Sequence, residues 1–460
     1  MNRRAFLSAA ATAGVVGVAG CNYLDGTPDQ SARPTGEAPT QTPEGTPIQD
    51  PEQTPTLTSS QRIIDTGRMK KVAADVSPGD EVSMLVNDIE SGELLVFPPG
   101  KFKWAGQATV VADNWGIMCH KDTVFEVPAG IGDGEEHERL STFSRERASD
   151  YFLLENLTFD SPGRAAPAIH LGVEKLAHVA GLHYKMNGPL SDQWQENGLR
   201  AFVTEADGVL WVDDYTQFNN GDLGGYGGGD SRIGIWVGPR NDGTVHLSNP
   251  ILQGFPNNAC YVSRQPGTVI IEGGLLMDNN VSAVRVSGGV VVRGTTIYLD
   301  VDRYLEGPGV LEADAHNTRG VWGDNHGPGT NGGLVTDTTF ILRSYRKSYG
   351  LATILRNRKM TIRNCHFILD SDIVGVVADN GEIVVENSAF GGQSLGSVAG
   401  TGNITGSGNS VARNIAPGDI PFTRRCENGS LAGVEPMPNH PFVSGWQDAC
   451  SPRYPWNLLD

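Results

Sequence analysis

Lysine is scarce in this chain: only nine of its 35 basic residues are Lys, and 53 acidic residues bring the net charge to -18. Binding a phosphate polymer requires clustered Lys and Arg, so this balance excludes nucleic acid as a partner. Cysteine is also sparse, at six, with no Cys-x-x-Cys pair and no His–Cys cluster, which excludes the common zinc sites. No apolar run reaches the roughly 20 residues that cross a bilayer. No carboxylates fall at an EF-hand spacing, so the sequence assigns no metal site.

What is abundant is glycine, 59 residues without a collagen period, which signals many tight turns. A length of 460 residues would ordinarily suggest two or three domains. A repeat overrides that expectation. Apolar strands end in a small polar residue at Asn156, Gly181, Asp214, Asn249, Gly273, Gly294, Asp337, Asn364 and Asn387, at intervals of 25, 33, 35, 24, 21, 43, 27 and 23. The short intervals approximate one bare coil of a solenoid, and the long ones imply loops inserted at a turn. Asn, Asp and Gly suit a left-handed bend that β-branched residues resist.

Residues 1–21 read as an export signal. Arg3-Arg4 before Ala5-Phe6-Leu7 resembles the twin-arginine signature, and Val18-Ala19-Gly20-Cys21 resembles a lipobox, which makes Cys21 the lipidation site. A plain signal peptide with a chance Cys is the alternative. Residues 22–60 are rich in Thr-Pro, Gln and Glu and too poor in large apolar side chains to form a core, so they read as a disordered stalk. The expected site is extracytoplasmic, at the cell surface, touching the membrane through the lipid alone. Residues 61–412 form the coils and 413–460 a Pro-rich tail, where Cys426 and Cys450 are placed for a disulfide. Cys119, Cys260 and Cys365 sit in apolar strands and read as buried small hydrophobes. Asn156, Asn280, Asn403 and Asn428 fit the N-glycan acceptor pattern, although turn chemistry explains them equally well. Ser77-Pro78-Gly79-Asp80 predicts a helix start, with Val82, Leu85, Val86 and Ile89 on one face, as an N-terminal cap.

The strand ends over about residues 92–412 resemble the right-handed parallel β-helix of the pectin-lyase-like superfamily, and the expected class is all-β. Gln253-Gly254-Phe255-Pro256-Asn257-Asn258, followed by Val269 to Gly274, resembles exported lipoproteins of halophilic archaea. The acid-rich, Lys-poor composition is similar to theirs, and an ordinary acidic secreted protein also fits it.

A second strand per coil reads small, apolar, variable, apolar: Ala168-Ile169-His170-Leu171, Gly234-Ile235-Trp236-Val237, Ala259-Cys260-Tyr261-Val262, Ala283-Val284-Arg285-Val286 and Gly320-Val321-Trp322-Gly323. Alternate residues of a strand face opposite sides. Ile169, Ile235, Cys260, Val284 and Val321 therefore point inward. His170, Trp236, Tyr261, Arg285 and Trp322 form an outward file that Arg200 joins, with Ala352 and Val377 as later equivalents. Aromatic faces stack on sugars and Arg pairs with carboxylates, so an exposed file predicts a polysaccharide or envelope glycan as partner. The alternative is that loops at 214–232 and 300–335 bury it.

The superfamily resemblance implies elimination from uronic acids with an Arg base and calcium, or hydrolysis by paired carboxylates. Arg285 is the candidate base. Asp214 is a candidate acid or, with Asp213, Asp242, Asp300 and Asp302, a calcium donor. Of the polygalacturonase motifs only Asp213-Asp214 is present: Arg232-Ile233 precedes Gly234, and Asn325 precedes His326-Gly327. The loop Asp314 to Gly333 adds His316, Arg319, Asp324 and His326, in a composition that a solvated turn-rich loop also explains. The reading is a polysaccharide-binding β-helix protein, with lyase-like cleavage as the chemistry expected if it is an enzyme. A non-catalytic adhesion or envelope protein is the competing class.

Overall fold

The computed structural model describes residues 68–412 apart from 129–140, 144–148, 162–167, 187–196, 219–231, 301–318, 325–331, 345–350, 356–357, 370–374, 380, 393–397 and 400–402, and also 433–434 and 453–454. Cys21, Cys426 and Cys450, the signal and the stalk lie outside these residues. A 32-stranded sheet winds through the described coils, and every pairing in it is parallel. Each strand bonds to the one a coil before and the one a coil after, which is a parallel β-helix.

The helix has three faces. The first carries Trp115–Cys119, Thr244–Ser248, Thr268–Glu272 and Glu382–Glu386. Thr123–Glu126, Ile251–Gln253, Thr296–Asp300 and His366–Leu369 lie on the second, and Leu199–Val203, Ile235–Val237, Cys260–Tyr261, Val284–Val286 and Val321–Gly323 on the third. The strand Val209–Phe218 crosses from the first face to the second, turning at Asp214.

That turn is the left-handed corner expected from the sequence. All nine predicted positions, from Asn156 to Asn387, have φ between 47° and 72°. Stacking adds a second constraint: at Gly273 the Asn249 carboxamide lies 2.5 Å from where a Cβ would sit. Asn249 at this corner thus leaves no room for a side chain at Gly273, whereas Asn364 is followed by Asn387 at the next corner. Inside, Val179, Val212, Leu247, Ile271, Val292 and Val335 lie in register behind the first face, and all are core residues. Behind the second face Phe340, Phe367 and Phe390 stack at 4.5 and 4.6 Å between ring centroids. Cys119, Cys260 and Cys365 are buried free thiols, as their apolar strands suggested.

The N-terminal helix differs from expectation. It spans Ser83–Asn87, while Ser77 to Asp80 form a turn in which the Ser77 amide donates to Asp80 Oδ2 (2.8 Å) and Gly79 takes φ 96°. The Ser77 side chain therefore caps no helix. The apolar spacing was informative: Val82, Val86 and Ile89 are buried, with Leu85 packed on them. The segment fills the first coil, Lys70–Ala73 lying over Glu93–Phe97 and Glu81 bridging Lys103.

Asn249→Val puts a β-branched residue at φ 52° and is expected to cost about 1–2 kcal/mol, whereas Asn249→Gly leaves the urea midpoint nearly unchanged. Equal midpoints for the two variants would show that corner conformation does not limit stability.

An arginine–aromatic file as candidate functional site

Register places the predicted residues in one line. His170 pairs with Arg200, Arg200 with Trp236, Trp236 with Tyr261, Tyr261 with Arg285, and Arg285 with Trp322. Their neighbours Ile169, Ile235, Cys260, Val284 and Val321 all belong to the core, so the file occupies the outer side of the third face. Beyond Trp322 the register runs to Thr353 and Val377. Ala352 was assigned one place out, since it pairs with Val321 and is buried in the core.

The file is outward but not open to water. Tyr261 is 6% exposed, Trp322 8% and Arg285 2%; His170 is buried, while Arg200 and Trp236 are half-buried. The expectation of a solvent-facing stripe is corrected to that extent. Its physical reason is visible in the side chains, because guanidinium planes cover the rings. Arg285 lies 4.5 Å from the Tyr261 centroid and 4.0 Å from that of Trp322, and Arg319 stacks on Trp322 at 4.5 Å. Arg200 lies 4.1 Å over Trp236, Arg264 5.3 Å over Tyr261, and Arg240 4.3 Å over Phe202. Each desolvated contact of this kind contributes up to about 2 kcal/mol. The Trp236 ring packs against Gly238, where a Cβ would come within 2.5 Å of it.

Asp324 holds the arginines. Its Oδ1 accepts from Arg285 Nη2 (2.9 Å), and its Oδ2 accepts from Ser263 Oγ (2.6 Å) and Arg264 Nε (3.3 Å). Burial alone would raise this carboxyl, but Arg285, aided by Ser263 and Arg264, pulls it down to about 2. Arg285 is consequently a partnered cation with a ring on each side, which does not suit it to accept a proton. Asp214 sits at the corner of the first and second faces and Arg285 on the third, so the two catalytic candidates are not brought together.

Calcium finds no gathered donors: among the described residues no group of three or more His, Cys, Asp or Glu lies together. Asp213 is instead paired with His178, and Asp300 accepts from Tyr298 and Ser344. Of the loop Asp314 to Gly333, Arg319 and Asp324 are buried in this site, while His316, Asn325 and His326, like the calcium candidate Asp302, lie outside the described residues. Ser263, Arg264 and Arg240 were missed from sequence. Ser263 and Asp324 follow Tyr261 and Trp322 by two positions, so extending the alternation past each strand end would have put both on the same side.

Asp324→Ala leaves Arg285 buried without this partner and is expected to destabilise by about 3–5 kcal/mol. Because the folded carboxyl is depressed, its contribution is full above the unfolded value near pH 4 and is lost as pH falls toward about 2. Acid unfolding of Asp324→Asn should therefore depend less on pH in that window, and an unchanged acid limb would contradict the pairing.

No protein-family model matches the sequence, and no curated protein matches it. Among solved structures, the catalytic unit of a thermostable GH87 α-1,3-glucanase from Streptomyces thermodiastaticus strain HF3-3 is similar, with a TM-score of 0.46 and 13% identity over 76% of this chain and 68% of that one.

Proposed function

We propose that this chain is a lipid-anchored, extracytoplasmic β-helix protein that binds polysaccharide along its third face. The observation that carries the reading is the unbroken register from His170 to Trp322 on the outer side of that face. Access is at the Arg200–Trp236 end, where both residues are half-buried and Arg240 on Phe202 is exposed. A stacked guanidinium uses its face against the ring and keeps its N–H edge for in-plane bonds to a carboxylate. Tyr261, Arg285 and Trp322 continue the file on the following coils. The anchor rests on the Arg3-Arg4 and Cys21 signals.

Within this reading, a non-catalytic role in adhesion or envelope structure is favoured by one observation, the ion pair of Arg285 with Asp324. Elimination with Arg285 as base is the competing outcome. Trp236→Ala and Arg200→Ala should each weaken binding to polygalacturonate, alginate or hyaluronate about tenfold. Unchanged affinity for all three in the double variant would remove the third face as the binding site. Release of unsaturated sugars, read as ultraviolet absorbance and abolished by Arg285→Ala with affinity spared, would establish the lyase; no release supports the binder.

A further inference from the structure

The first face carries a second, unrelated cluster. His178, Trp211 and His246 pair in register on three successive coils, so their side chains share one outward file at spacings of about 4.8 Å. Both imidazoles are buried and Trp211 is half-buried. Most outward positions in this region of the face are aliphatic, Thr or Ser, and the two histidines interrupt that pattern on either side of the indole.

A carboxylate orients each imidazole. His178 Nε2 lies 2.7 Å from Asp213 Oδ2, and His246 Nε2 lies 3.2 Å from Glu272 Oε2. Glu272 also accepts from Arg293 Nη2 at 2.8 Å. Burial alone would raise the Glu272 carboxyl, but hydrogen bonds from His246 and Arg293 and the Arg293 charge pull it down to about 2, so it is ionised at neutral pH. The His246 ring lies 4.2 Å from the Trp211 ring, tilted by 54°, which props the indole from one side. An aromatic platform held between two fixed polar groups needs no rearrangement to accept a ligand.

We propose that Trp211 is the platform of a second saccharide site, on the first face, that takes a neutral pyranose ring. The indole receives the apolar C–H face of the sugar, and Asp213 and Glu272, both partly exposed, accept from its hydroxyls. Two carboxylates against one Arg293 disfavour an acidic sugar, in contrast to the arginine-stacked file on the third face. The two faces would then grip different parts of one glycan, or two different glycans.

The test is calorimetric titration with cellohexaose, maltohexaose and xylohexaose, in the full chain carrying Trp236→Ala so that the third face contributes little. At least one of the three should bind. Adding Trp211→Ala should weaken that binding about tenfold, and Trp211→Phe should restore most of it, with melting temperatures confirming that each variant is folded. Absence of binding by all three probes, or affinity indifferent to Trp211→Ala, overturns the second site. Either result leaves the third-face reading standing or falling on its own acidic ligands.

Discussion

Every other feature of this protein depends on strands hydrogen-bonding in parallel to equivalents one coil away, in a register that shifts only at Ser149/Tyr151 and Leu299/Asp300 among the described strands. Because the side-chain period of a strand is two, a one-residue slip would send each inward Val or Ile to the surface and each outward Trp or Arg into the core. Left-handed corners guard against this. From Asn156 to Asn387 they fix where each coil turns, and they do so at a conformation that the β-branched residues of the strands avoid. The corners also couple neighbouring coils, since the Asn249 carboxamide occupies the space that a side chain on Gly273 would need. Turning and stacking are therefore a single constraint.

The same register makes one surface out of residues far apart in sequence. Arg200 and Trp322 are joined through three intermediate coils, and the resulting file consists of guanidinium planes against rings. In a chain of net charge -18, arginine gathered in one line is a costly concentration of like charge. Aromatic faces and the Asp324 carboxylate offset that repulsion locally. Lysine, a point charge without a plane, would not stack in the same way, which gives the preponderance of Arg a structural sense here.

The first face uses different chemistry on the same scaffold. Its central cluster joins acid–imidazole pairs between coils, His178 to Asp213 and His246 to Glu272, around an indole, with Arg293 on Glu272. A solenoid permits this division because each face is a separate file of outward positions. A substitution on one face leaves the others' register untouched, so distinct surfaces can coexist without competing for the core.

The sequence by itself determined the coils, the corners and the membership of the third-face file, because all three follow from local rules: a period of two along a strand, and a left-handed bend that only a few residue types tolerate. Ile235 inward and Trp236 outward could be read from the four residues Gly234-Ile235-Trp236-Val237. Burial was decided by tertiary structure, since nothing in Val284-Arg285-Val286 reveals that Tyr261 and Trp322 close over the guanidinium from adjacent coils. The partners were decided there too: Asp324 reaches Ser263 across 61 residues and Arg285 across 39. The helix at Ser83–Asn87 shows the same limit from the other side, because its apolar spacing was legible while its start was set by where the chain had to meet Lys103. Local periodicity fixes which way a side chain points; what it meets there depends on neighbours that only stacking brings within reach.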